Sequence, residues 1–184
     1  MQIGYDENKP LEPLDLNQWS QDWLQTKGMN KMSLEVEKSD GKYKKFQIKQ
    51  EHCKNGESRY RKQTINIALY NAEGGLIEKV ERVNIENRDL TELEKFKDKN
   101  VPAAVLLNSD DWGFGHFHLD DASVKVFEEK LSKMQSKIDK VVVIGQIINM
   151  MRLIEYPATK LPKIMNQLLD EKNQNLITAM NMAL

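Results

Sequence analysis

Three histidines and one cysteine offer the most specific chemistry in this sequence. His116 and His118 stand two apart in an alternating segment, so a strand would put both imidazoles on one face, where they could chelate a metal ion. His52 and Cys53 would complete a zinc-type donor set of three histidines and one cysteine. The plainer account is preferred: two half-exposed strand histidines, with Phe114, Phe117 and Leu119 making the apolar contacts and no metal bound. Cys53 lies between His52 and Lys54, neighbours that lower a thiol pKa, yet an unpaired loop cysteine is normally inert. Asp110, Asp111, Asp120 and Asp121 would suit calcium, but their spacing matches no EF-hand loop, and a turn followed by a helix cap accounts for all four. The sequence contains no nucleophile–base–orienter set and no phosphate-binding glycine loop. No catalytic residue is assigned.

Two stretches suggest binding rather than catalysis. Residues 40–62 hold eight Lys or Arg against three acids, with Tyr43, Phe46 and Tyr60 among them. Such interleaving can form a single-strand nucleic-acid platform. A solvated hairpin whose lysines guard a strand edge explains it as well, and no nucleic-acid partner is expected. Of the nine methionines, five fall from Met150 onward, either as core filling or as an adaptable binding face.

The elements that position these residues follow from periodicity. Asp15 reads as the N-cap of a short helix whose Leu16, Trp19, Trp23 and Leu24 share one face, with Gly28 as its left-handed end. From Met29 to Asn108 the period is two. Met32, Leu34 and Val36 alternate into the turn Ser39-Asp40-Gly41, and Phe46 and Ile48 continue in the returning strand. Ile65, Ile67 and Leu69 form the next run, with Leu76–Ile85 as its partner, while residues 89–96 fit no single state. Val101–Leu107 is a buried strand entered through Pro102, and Gly113–Leu119 returns after a turn. Six or seven short strands imply a small antiparallel β-sandwich.

Past residue 120 the period becomes helical. Asp120 or Asp121 caps a helix with Val124, Phe127, Leu131 and Met134 in a stripe. Asp139 opens a second helix, Lys140–Glu155, apolar over most of its circumference and stopped by Pro157. Thr159 caps a third with Pro162 in its first turn, carrying Ile164, Met165, Leu168 and Leu169. A fourth, from about Asn175, carries Leu176, Met180 and Leu184, with its apolar face still running at the last residue. Short loops between them imply antiparallel helical hairpins. The fold class is α+β and multidomain: a lead-in and helix over 1–28, a sandwich over 29–120 and a truncated helical array over 121–184.

Composition narrows the class. Hydrophobic residues make up 40% and charged residues 30% of 184, with a formal net charge of −1. That suits a soluble globular chain with no field to draw it to nucleic acid or an anionic membrane. One cysteine excludes an internal disulfide framework, no apolar run approaches the ~20 residues of a bilayer span, and the first residues lack a signal-peptide pattern. The expected compartment is the cytoplasm, with an organelle interior as the alternative.

Three stretches resemble the carboxy-terminal part of the aminopeptidase N family of zinc peptidases, the gluzincins that include puromycin-sensitive aminopeptidase. Asp15–Asn30 is similar to the last helix of that family's catalytic domain, D-L-x-x-W-x-x-x-W-L-x-T-x-G-x-N. Pro102–Asp121 resembles its strand pair, with P-x-x-V-L-L-N-x-D-D before and L-D after. Gly145–Leu169 resembles a helix hairpin of its carboxy-terminal domain, with M-x-R, a proline and an L-x-x-L-L ending. The resemblance implies a catalytic-domain tail, an immunoglobulin-like β-sandwich and the start of a helical array. It carries over no functional residue, because there is no H-E-x-x-H and no G-x-M-E-N. Glu51-His52 has no second histidine at the required spacing. Zinc is implied only for the family's catalytic domain, so no cofactor is expected in this chain.

The expectation is therefore a non-catalytic structural or protein-interaction module. It would dock through Trp19 and Trp23 at one end and Leu176, Met180 and Leu184 at the other, onto protein partners such as an aminopeptidase catalytic domain or a larger assembly. The alternative is a carboxy-terminal fragment or subunit of an active zinc aminopeptidase whose catalytic domain lies elsewhere.

Overall fold

A computed structural model describes residues 15–52, 56, 58–168 and 178. The described elements are helix α1 (Leu16–Trp23), strands β1 (Lys31–Ser39), β2 (Lys42–Glu51), β3 (Gln63–Tyr70), β4 (Leu76–Ile85), β5 (Leu90–Glu92), β6 (Ala104–Ser109) and β7 (His116–Phe117), then helices α2 (Asp121–Lys130), α3 (Lys137–Arg152) and α4 (Leu161–Asn166). One sheet has the order β5-β2-β1-β7 and the other β4-β3-β6.

β3 and β6 organise the molecule because both of their faces are apolar. Successive side chains of a strand alternate between faces. Ile65, Ile67, Leu69, Val105 and Leu107 pack with Met32, Phe46 and Ile48 of the four-stranded sheet. Ala68, Tyr70, Ala104 and Leu106 face the other way and share a second core with Phe127, Val143 and Ile147 of the helices. The three-stranded sheet is thus a middle layer, and each fully buried aliphatic side chain contributes about 1.5–3 kcal/mol. The free edge of β6 is satisfied by helix side chains: Val105 N–H donates to Ser123 Oγ at 2.8 Å, and Gln146 Nε2 donates to the Leu107 carbonyl at 2.8 Å.

The hairpin turn forms where Asp40 and Gly41 take the left-handed conformation, with φ of 54° and 71°. The Val124, Phe127, Leu131 and Met134 stripe is buried, with Leu131 passing into a 3-10 turn after α2. α3 is buried on several sides, as its apolar circumference requires.

Several expectations are corrected. The strands are not all antiparallel, because β7 pairs parallel to β1 over two residues, and the Gly113–Leu119 strand shrinks to that pair. The apolar run from Val101 is strand only from Ala104. Ser136, not Asp139, caps the second of these helices; its side chain accepts from Asp139 N–H, and the helix runs from Lys137 to Arg152. It ends before Pro157, with Ile154 at φ 64°. Thr159 caps nothing; it lies in a 3-10 turn, and α4 begins without a side-chain cap. Leu169 and the Leu176, Met180 and Leu184 face lie outside the described residues.

Candidate functional site

α1 begins as its sequence dictates. Asp15 Oδ1 accepts from the N–H groups of Asn17 and Gln18 at 3.0 Å each. Most of its apolar face, however, does not pack inward, and of that face only Trp23 is half-buried. Leu16 and Leu24 are 66% and 70% exposed and Trp19 is 42% exposed. Gly28 is left-handed at φ 88°, four residues beyond the cap residue Leu24.

The helix is held by its polar side. Asp22 is buried and takes Arg59 Nη1 on Oδ1 at 2.7 Å and Gln18 Nε2 on the same oxygen at 2.9 Å. Its carbonyl accepts from Arg61 Nε at 2.6 Å and from Thr26 Oγ1 at 2.6 Å. Arg61 also donates to Thr26 Oγ1 at 2.8 Å and to Asn30 Oδ1, while its own backbone is clasped by Gln50. Such charge-assisted bonds to a buried guanidinium are stronger than neutral ones, so the helix is anchored rather than resting on apolar contact. Above the Arg61 guanidinium lies Trp23, whose ring centroid is 5.5 Å away, and Trp23 meets Phe114 edge-on at 6.2 Å.

Phe114 extends the exposed apolar surface onto the loop between β6 and β7. Trp112 and Phe114 are 74% and 62% exposed. The loop is rigidly built: Asn108, Asp110 and Asp111 all have positive φ, Asn108 Oδ1 takes Gly113 N–H at 2.6 Å, and Asp110 takes Lys79 at 2.7 and 2.8 Å and Asn66 at 2.9 Å. Hydrogen bonds to Lys79 and Asn66 outweigh the effect of burial and hold the Asp110 carboxyl below its usual range. Three of the four aspartates considered for calcium are thus accounted for, since besides Asp110, Asp111 accepts from Asn108 and Asp120 caps α2. Asp121 lies in the first turn of α2, where a carboxylate suits the helix dipole.

The histidines fall in two places, His116 and His118 beside Glu155 and His52 against Tyr60. His118 Nε2 lies 3.0 Å from Glu155, His116 sits near Arg152 and Glu155, and His52 stacks on Tyr60 at 4.0 Å. Cys53 lies outside the described residues. Among the described residues no three His, Cys, Asp or Glu side chains are grouped so as to hold a metal ion. The basic stretch is largely paired, Lys44 with Asp98, Lys45 with Glu37 and Lys49 with Glu51.

Asp22, Arg59, Arg61 and Trp112 escaped the sequence reading, and Phe114, expected to make apolar contacts beside the buried Phe117 and Leu119, is exposed instead. The arginines carried a signal, since two residues apart in an extended segment they can share a side and reach one common element. The aspartate gave none, because a polar residue opposite an apolar stripe looks solvated.

No helix among the described residues is long and apolar enough to cross a membrane. No family model matches the chain. It is similar to the aminopeptidase N of Streptomyces lividans, at 32% identity over 134 residues, covering 68% of this chain and 16% of that protein. The chain spans about a sixth of the length of the curated relative it matches. It is a partial homologue of aminopeptidase N.

Proposed function

We propose that this chain is the sandwich-and-helix portion of an aminopeptidase N-like protein and serves as a non-catalytic platform for a catalytic domain. The observation that carries the reading is the inverted docking of α1. Its polar side is fixed by Asp22, Arg59 and Arg61, and its Leu16, Trp19 and Leu24 face is left to solvent beside Phe114. A rigidly presented apolar patch marks a surface that is covered in use. The resemblance of Asp15–Asn30 to the last helix of a catalytic domain says what would cover it. On this reading the sandwich is immunoglobulin-like, zinc belongs to the partner, and the platform fixes the catalytic domain's orientation.

The test is sedimentation of the chain with a separately expressed aminopeptidase N catalytic domain, alongside zinc-dependent hydrolysis of an aminoacyl amide. The chain alone should be inert and should bind the domain, and Leu16→Ser with Trp19→Ser should abolish binding. Chelator-sensitive hydrolysis by the isolated chain, or no complex at tens of micromolar, would sink the reading.

The relative's far greater length favours a second reading, in which platform and catalytic domain are one polypeptide. An immunoblot of the source cells separates the two: a band near 21.4 kDa supports a free module, and a much larger one supports a continuous enzyme.

A further inference from the structure

β7 is held to β1 through two residues only. The amides of His116 and His118 donate to the carbonyls of Asn30 and Met32 at 2.9 and 2.8 Å. Four basic side chains and one acid surround this short pair. Glu155, just past the end of α3, takes Lys31 Nζ at 2.5 Å and His118 Nε2 at 3.0 Å. The charge of Arg152, also from the end of α3, opposes protonation of His116, and that of Glu155 favours it. His116 Nδ1 is buried and has no hydrogen-bond partner among the described residues. An imidazolium carries a donor on both nitrogens, so a charged His116 would hold one N–H in a place that offers no acceptor.

With both imidazoles neutral, one carboxylate faces two cations. In acid an imidazolium at His116 adds positive charge while Glu155 remains the counter-charge. We propose that this seam is an acid-sensitive joint, in which proton uptake at His116 unseats β7 from β1 and loosens the Trp112–Phe114 loop that leads into it. A charged His116 meets the charge of Arg152 and has no acceptor for its Nδ1–H among the described residues. Burial first, and Arg152 second, hold the His116 pKa below its ordinary value of 6.5. Its neutral form is the one the fold favours, so the joint is intact above that value and yields as pH falls below it.

Amide hydrogen exchange and histidine-ring titration of the full 184-residue chain, labelled with nitrogen-15, test this. Between about pH 7.5 and about pH 5, and after correction for intrinsic exchange, protection at the His116 and His118 amides should fall roughly tenfold or more, in step with the His116 ring. His116→Asn should remove the pH dependence. Arg152→Gln, at an exposed helix end, should move the His116 midpoint upward and gives a reading that does not depend on how well His116→Asn folds. Protection unchanged across the range, a loss that persists in His116→Asn, or a midpoint indifferent to Arg152→Gln would overturn the proposal.

Discussion

The Tyr70 hydroxyl donates to Asp139 Oδ2 at 2.6 Å, tying the middle sheet to the first turn of α3. The other carboxylate oxygen takes Ser109 Oγ at 2.9 Å and the Asp110 amide at 3.0 Å, and the aspartate is fully buried. Burial first, and Asp139 second, push the Tyr70 hydroxyl well above the usual tyrosine range. Asp139→Ala leaves three donors without an acceptor and should cost about 3–5 kcal/mol by urea unfolding. Tyr70→Phe removes one donor and should cost about 1–2 kcal/mol. Equal losses for the two variants would mean that Asp139 is not the shared acceptor.

Phe127 is fully buried on α2 and meets the Tyr70 ring edge-on at 5.6 Å. Phe127→Ala opens a cavity between sheet and helices and should cost about 3–5 kcal/mol. Leu76→Ala, at a 48%-exposed position of β4, should stay within about 0.5 kcal/mol. Comparable losses at both sites would contradict the packing described.

Asp22→Ala removes the Arg59 and Gln18 bonds but keeps the Arg61 bond to the residue 22 carbonyl, so it should loosen α1 without unfolding the sheets. Arg59 loses its carboxylate partner. Proteolysis should then cut near residues 24–30 far faster, while the unfolding free energy from urea titration drops by about 1 kcal/mol or less. A large global loss with unchanged proteolysis would show the helix to be integral to the core.

Local elements were legible in the sequence because they are set by near neighbours. The Asp15 cap, the Asp40-Gly41 turn and the Val124–Met134 stripe each depend on residues within a turn or two, and each is present. Periodicity also marked β3 and β6 as apolar, but not that their two faces serve different layers. What stayed hidden depends on distant partners. Asp139 resembles a helix opener until Tyr70, Ser109 and Asp110 converge on it. The parallel pairing of β7 needs β1 and α3 already in place, and no spacing within residues 113–119 records that. The Trp19 and Trp23 stripe announced an apolar face without saying whether this chain or another covers it.

Glu128 gives the acid limb of stability a test. It is buried on α2, accepts Tyr156 Oη at 3.0 Å and Lys160 Nζ at 2.9 Å, and so fastens the turn before α4. Burial alone would push its carboxyl up. The hydrogen bonds from Lys160 and Tyr156, with the charges of Lys160 and Lys163, more than reverse this and hold it below its ordinary value of 4.5. A carboxylate with a depressed folded pKa stabilises fully above the unfolded value, and the stabilisation is lost as pH falls through the folded one. Glu128→Gln should therefore be less stable than the natural chain at neutral pH, with the two urea midpoints converging in the acid range below 4.5. Asp110 and Glu155 are depressed in the same way and weaken both proteins alike over that range, so the difference between the curves isolates Glu128. A gap between the curves that stays constant with pH would mean that Glu128 acts by packing and not by its charge.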